Sequence, residues 1–404
     1  MEASAKTRPA KPSGMAKDIT PPFTEELEEF RKSVRGWVLA NLTPHADEWE
    51  ASKHFPDEVF KTVASQGYLG LKFEEEYGGS NEGGLENPAQ GYLADAVQLE
   101  ELPACGSGGV AAGIWAHAGI ALTPIWKFGS HEQKLKYLKP GVSGDKIAAL
   151  AITEPGAGSD VAGIQTKAEK VDGGYLLNGS KVFITNGVRA HTIVTAAKTT
   201  PEGGHHGISF FIVERGEGVT SSPLEKLGWH ASDTAEIGYN DVFVPEENLL
   251  GEENHGFYMI MANFQWERLM MALGAVGAMK DVFAATLDYA HERNAFGRPI
   301  SNFQVIRHKF ADMATQIEAA RTMTYNALRL FVEGKEPLSE VTMAKLFTQR
   351  LLVNICDECL QIHGGWGYMK EYKIERALRD ARLGPIGGGT DEIMKEILGK
   401  TLGV

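Results

Sequence analysis

The densest chemistry-bearing pattern in the chain is Ala151-Ile152-Thr153-Glu154-Pro155-Gly156-Ala157-Gly158-Ser159-Asp160. A β-prone run is stopped by Pro155 and passes into a loop in which Gly156 and Gly158 lie between the hydroxyls of Thr153 and Ser159. Glycines tolerate positive φ and have no Cβ, so main-chain N–H groups can approach a flat, phosphate-bearing ligand, while neighbouring hydroxyls donate or accept. Spacing alone leaves a cofactor loop and a plain turn both open. Cys356-Asp357-Glu358-Cys359 has the spacing of a redox pair or half a metal site, but no second Cys/His pair completes a ligand set and the segment has amphipathic helical periodicity. These cysteines read as packing residues. With Cys105 they make three, too few for a disulfide framework and in keeping with a reducing compartment.

The elements that must position such a loop follow from periodicity. From Thr24, a natural N-cap, Leu27, Phe30, Val34, Trp37 and Val38 recur at helical spacing. Helical patterns continue over Pro56–Gly67, Leu93–Leu102, Val110–Phe128 and His131–Leu138. Between Ile147 and Val244 the period becomes two, with strands expected over Tyr175–Ile184, Thr192–Ala196, Gly207–Val213 and Glu236–Val244. Asn178-Gly179 is read as a hairpin turn within the first of these. Helical periodicity returns over Tyr258–Ala290, Gln304–Glu333, Leu338–His363 and Asp391–Leu398. The fold class is therefore α+β: a leader over 1–20 with neither an apolar h-region nor an amphipathic pattern, helices over 21–146, a β-domain over 147–252 and a helical bundle over 253–404.

Composition narrows the function. Of 404 residues, 43% are apolar and 23% charged, as in a globular protein. No uninterrupted apolar run approaches membrane-spanning length. A formal charge of −13 argues against a non-specific nucleic-acid binder, which needs cations to displace counterions.

The order of elements, together with Ile152–Asp160, Phe183-Ile184-Thr185-Asn186-Gly187, Arg293-Asn294-Ala295-Phe296-Gly297 and Gln361-Ile362-His363-Gly364-Gly365, resembles the acyl-CoA dehydrogenase family from about Thr24 to the C-terminus. Leu249–Tyr258, Gln265-Trp266-Glu267-Arg268-Leu269 and His363–Met369 look most like its long-chain branch. The resemblance implies a helical domain, a β-domain and a C-terminal four-helix bundle, with extended FAD between the last two and a neighbouring subunit of a homotetramer completing its site. It implies that Thr153 meets the flavin pyrimidine edge, that Gly158 and Ser159 meet a phosphate, that Phe183 packs on the ring, and that Thr185 approaches the hydride-accepting nitrogen. Phe183 departs from the commoner tryptophan. Arg293, with Phe296, suits the pyrophosphate, Gln304 and Gln361 the adenosine half, and Gly364 and Gly365 let a helix end meet the cofactor. Thr390 and Glu392, at the start of the last helix, are expected on the adenosine side. No metal is implied.

The implied reaction is α,β-dehydrogenation of a medium- or long-chain or branched acyl-CoA, and it needs a base. Much of the family places a glutamate in the loop where this chain reads Pro385-Ile386-Gly387-Gly388-Gly389-Thr390, and that position is Gly388. The long-chain and isovaleryl branches place it on a helix, at the position of Glu267, followed by Arg268. The expectation is that Glu267 enters a volume that a bare Gly388 leaves empty, with a pKa raised by burial. Gly387 resembles the isovaleryl pattern and suggests room for a branched acyl group. Tyr258, Arg268, Gly387, Gly388 and Gly389 are the expected substrate contacts. Acyl-CoA, or an acyl-carrier-protein thioester, is the expected substrate and an electron-transfer flavoprotein the expected electron acceptor. The expected location is a bacterial cytoplasm, or the mitochondrial matrix in a eukaryote. An oxidase or monooxygenase on the same scaffold, or a catalytically inactive acyl-thioester binder, are the alternatives.

Overall fold

The computed structural model describes residues 20–404, so nearly all of the expected leader lies outside the described residues. α1 (Glu25–Asn41) begins where Thr24 accepts the Leu27 N–H, and it buries Leu27, Val34 and Val38. The short α2 (Ala46–Ser52) and α3 (Glu58–Ala64) lead to α4 (Ala89–Glu101). The stretch expected as one helix over Val110–Phe128 divides into α5 (Gly108–Trp115), a π-helical stretch over Ala116–Ala121, and α6 (Leu122–Phe128). A second π-helical stretch, Lys134–Leu138, joins α7 (His131–Gln133) to α8 (Lys139–Val142).

The chain turns from helix to strand between Val142 and Ala148. β1 (Ala148–Ala151), β2 (Lys167–Val171), β3 (Gly174–Thr185), β4 (Thr192–Lys198), β5 (Ile208–Glu214), β6 (Val219–Pro223), β7 (Thr234–Pro245) and β8 (Leu249–Leu250) form one sheet. Its order is β6-β7-β3-β2-β4-β5-β8, with β1 parallel on β4. Alternate residues of β4 and β5 serve two interiors. Val194, Ala196, Phe210 and Ile212 face the helices, whereas Ile193, Ala197, Phe211 and Val213 face the interior of the β-domain.

One expectation fails here. Asn178-Gly179 is no hairpin turn: β3 runs straight through it, and the turn lies at Asp172-Gly173, between β2 and β3. The apolar alternation continues on both sides, with Tyr175, Leu177, Val182 and Ile184 all buried, so a single strand buries more than a hairpin would. The pair instead makes an irregularity in the pairing with β7. Asn178 exchanges two 2.9 Å hydrogen bonds with Asp241.

Helix resumes after Leu250. α9 (Gly256–Glu292), α10 (Gln304–Val332), α11 (Leu338–His363) and α13 (Asp391–Leu402) make the bundle, and α12 (Ile374–Ala381) is an additional helix with no counterpart in the expected pattern. A tight hairpin, β9 (Asn294–Ala295) and β10 (Arg298–Pro299), joins α9 to α10. The membrane-length expectation also needs amending: Gly108–Phe128 and Gly256–Glu292 are long and apolar enough to span a bilayer. Both are largely buried in the protein and act as core helices, sharing one interior with α1, α4 and the sheet. Cys356 and Cys359 are buried in the bundle core, where burial pushes both thiols up, as packing residues require.

Candidate active site

Glu267 lies in the first third of α9, between the buried Trp266 and Arg268, and is 8% exposed. Burial raises its carboxyl to about 7, against the opposing pull of a hydrogen bond from Asn263 and the charge of Arg268. Asn263, one turn earlier on the same face, donates to Glu267 Oε1 at 2.5 Å. A carboxyl held at this value takes and returns protons near neutral pH, as a general base must.

The loop that follows α12 closes over this face. Arg268 Nε donates to the Gly388 carbonyl at 3.4 Å, and burial pulls the guanidinium below its ordinary value. The buried Lys345 of α11 donates to the Gly389 carbonyl, and burial brings its ammonium down to about 8. Gly388 and Gly389 have φ of 61° and 94°, a region in which side chains are strained. The emptied volume expected at Gly388 is not empty. Met271, one turn beyond Glu267, puts its Sδ 2.5 Å from the place a Cβ on residue 388 would take, so Gly388 is there because of its φ and of Met271. Gly387 does have room, since an added Cβ would meet only Leu383 and Met271 at 3.8 Å or more.

The residues expected to hold FAD fall in two groups. Thr153, Gly158 and Ser159 follow β1, and the loop is tied to β3 by the Val182 N–H bond to the Thr153 carbonyl at 2.9 Å. Beneath it Lys181 donates to the Ile152 carbonyl and to Glu154, whose carboxylate also accepts the N–H groups of Gln165 and Thr166. Burial alone would push Glu154 up, but Lys181 and these donors hold it below the usual carboxylate range. Neither Gly156 nor Gly158 has positive φ. Their use is openness: a Cβ on Gly156 would meet nothing within 4 Å. Phe183 is 68% exposed with φ of 62°, at the second irregularity of β3, and Thr185 follows it. A bulky residue held at such a φ marks a site where the surroundings overrule local preference.

The second group lies at the other end of the bundle. Arg293 ends α9 and lines a groove with Tyr289, His363, Gly364, Gly365 and Trp366. Phe296 is 95% exposed at the tip of the β9–β10 hairpin, with φ of 50°. Gln304 and Gln361 are exposed but do not line that groove. Among the described residues, the side chains of Thr153, Ser159, Thr185, Arg293, Gln304 and Gln361 form no hydrogen bond or ion pair, so their donors are open to a ligand. Gly364 and Gly365 face open space. This donor set fits a flat, pyrophosphate-bearing cofactor. Thr390 is instead engaged as the N-cap of α13, accepting the Ile393 N–H, with Glu392 exposed beside it. Tyr258 is half exposed near the start of α9, its hydroxyl 3.4 Å from His206 Nδ1.

Asn263, Met271 and Lys345 escaped the sequence reading. For the first two a signal existed, because residues four before and four after a glutamate share its helix face. For Lys345 there was none, since its partner lies 44 residues away.

This three-part fold, with a buried carboxyl beside the arginine that holds a glycine loop and two sets of free donors, is that of a family of flavin-dependent oxidoreductases. Family models for the N-terminal, middle and C-terminal domains of acyl-CoA dehydrogenase match residues 24–145, 149–242 and 254–403, and the chain belongs to the acyl-CoA dehydrogenase family, whose members depend on FAD. It is 40% identical over 384 residues to a mitochondrial isovaleryl-CoA dehydrogenase of Oryza sativa subsp. japonica, covering 94% of this chain and 92% of the relative. It is 39% identical over 384 residues to the mitochondrial long-chain specific acyl-CoA dehydrogenase of Mus musculus, covering 94% and 87%. The crystal structure of an acyl-CoA dehydrogenase from Geobacillus kaustophilus superposes with a TM-score of 0.90 at 39% identity, over 96% of this chain and 100% of that one.

Proposed function

We propose that the protein removes two hydrogens across the α,β bond of a medium- or long-chain or branched acyl-CoA thioester, giving the trans-2-enoyl thioester, with Glu267 as the base. The observation that carries this reading is the buried Glu267 carboxyl, raised to about 7 and held by Asn263, next to the Arg268 that is bonded to the Gly388 carbonyl. The α-carbon C–H bond breaks and its proton moves to a Glu267 carboxylate oxygen. The electron pair left on carbon becomes the new double bond as a hydride leaves the β-carbon. When bound, FAD supplies the acceptor for that hydride. The Gly388 N–H polarises the thioester oxygen, the Gly387 N–H being engaged by the Leu383 carbonyl, and Arg268 and Lys345 hold that loop by its carbonyls.

Thr153, Gly158, Ser159, Phe183 and Thr185 would hold the flavin side of FAD. Arg293, Phe296, Gln304, Gln361, Gly364 and Gly365 would hold the pyrophosphate and adenosine side, and Thr390 and Glu392 would border it. Arg293 lies 26 residues beyond Glu267 on α9, a distance of about 39 Å at helical rise. The second set therefore serves the site of a neighbouring copy, in keeping with a homotetramer. Tyr258 lies where the outer part of the substrate would enter. A free electron-transfer flavoprotein is the proposed acceptor, and a bacterial cytoplasm or a mitochondrial matrix the proposed location.

The test is anaerobic titration of the yellow holoenzyme with straight and branched acyl-CoAs, alongside Glu267→Gln. The flavin of the wild type bleaches, whereas Glu267→Gln binds the thioester but turns over roughly a hundred to ten thousand times more slowly. Undiminished turnover in the variant would remove Glu267 from the mechanism. Rapid reoxidation of the reduced enzyme by air would favour an oxidase.

A further inference from the structure

Asn263 is 1% exposed, and its amide sits between two groups. Nδ2 donates to Glu267 Oε1 at 2.5 Å and reaches the Ile120 carbonyl, in the π-helical stretch, at 3.4 Å. The other end of the amide, Oδ1, is buried without a hydrogen-bond partner. Leaving a buried acceptor unsatisfied is costly, so an orphan beside a carboxyl that must change protonation state calls for a reason.

The reason lies in what a base becomes. A carboxylate only accepts hydrogen bonds, but once it has taken a proton it has an O–H to donate. A primary amide has a donor and an acceptor in one plane, and a half-turn about its last torsion exchanges them. We propose that Asn263 is a positioning residue that holds Glu267 in both protonation states, donating to the carboxylate before proton abstraction and accepting from the carboxylic acid afterwards. This rests on the reading of Glu267 as the base. The orphaned oxygen is then the acceptor kept for the second state.

The surroundings leave this task to Asn263. Arg268, next along α9, is the one charge among the described residues that acts on Glu267, and its Nε is committed to the Gly388 carbonyl. From the π-helical stretch, His117 spends both ring nitrogens on Gly141 and Ala148. From α11, Lys345 is committed to Gly389, and Pro385–Thr390 has no titratable side chain.

The experiment compares pH profiles of kcat/KM for wild type, Asn263→Leu, Asn263→Asp and Asn263→Gln, each purified as yellow holoenzyme, with Glu267→Gln as reference. A hydrogen bond to the charged carboxylate is stronger than one from the neutral acid, so losing both in Asn263→Leu still raises the base's pKa and moves the acid limb up by about one pH unit, with kcat falling about tenfold and KM little changed. Asn263→Asp moves it further, because a second carboxyl faces the first. Asn263→Gln, which keeps the amide, lies between wild type and Asn263→Leu. An unmoved limb in Asn263→Leu, or in Asn263→Asp where the leucine variant does not fold, overturns the proposal. Full turnover in Glu267→Gln would instead remove the base itself, so the two failures are distinguishable.

Discussion

Met271 and Gly388 share one space: the Met271 Sδ lies 2.5 Å from the point where a side chain on residue 388 would begin. The thioether is flexible and can swing aside, but the φ of 61° at Gly388 cannot be relieved in that way. Gly388→Ala is therefore expected to lose about 1–2 kcal/mol of stability, with little recovery in the double variant Met271→Ala/Gly388→Ala. Thermal unfolding of the holoenzymes checks this, and a single variant as stable as wild type would contradict it.

The pH dependence of turnover follows from Glu267. Its carboxyl, raised to about 7, works as a base only when ionised, so kcat/KM is expected to level off above that value and fall about tenfold per pH unit below it. A profile flat from pH 8 to about pH 5 would be incompatible with this base.

Gly387 offers a test of substrate shape. An added Cβ there meets only ordinary contacts and needs no positive φ, so Gly387→Leu is expected to fold and to bind FAD. Its kcat/KM for methyl-branched acyl-CoAs is expected to fall about ten- to two-hundredfold relative to straight chains. Equal losses on both substrates would remove Gly387 from chain selection.

His117 makes acid stability predictable. Burial lowers its ring to about 4, helped by the charge of Lys72 and opposed by the hydrogen bond from Nε2–H to the Gly141 carbonyl, while Nδ1 accepts the Ala148 N–H. A group whose folded value lies below its unfolded one contributes stability above the unfolded value and loses it as pH falls through the folded one. Stability is thus expected to decline by about 3 kcal/mol between pH 6.5 and 4 from this residue. His117→Gln, less stable at pH 7, should show a shallower decline in denaturant titrations over that window.

Much of this was readable from local pattern. The helix of Leu338–His363 and the cap at Thr24 follow from periodicity and from a side chain satisfying its own neighbours. What was lost depended on distant partners. Asn178-Gly179 has the chemistry of a turn, but apolar residues on either side found pairing partners in β2 and β7 and kept the strand whole. The break of Val110–Phe128 into a π-helical stretch has no compositional mark. The helix face shared by Glu267 and Met271 was legible from their spacing, whereas the return of the Met271 thioether into the supposed gap was not, since no pattern says where a flexible thioether folds back.

The length of α9 has a genetic consequence. It puts Glu267 near one end and Arg293 at the other, and on the proposed reading, in which a neighbouring copy supplies Arg293, each working centre draws on two polypeptides. Mixing Glu267→Gln chains with Arg293→Ala chains, each inert alone, should regenerate centres in which both groups are wild type. Two recessive defects would then complement each other in trans.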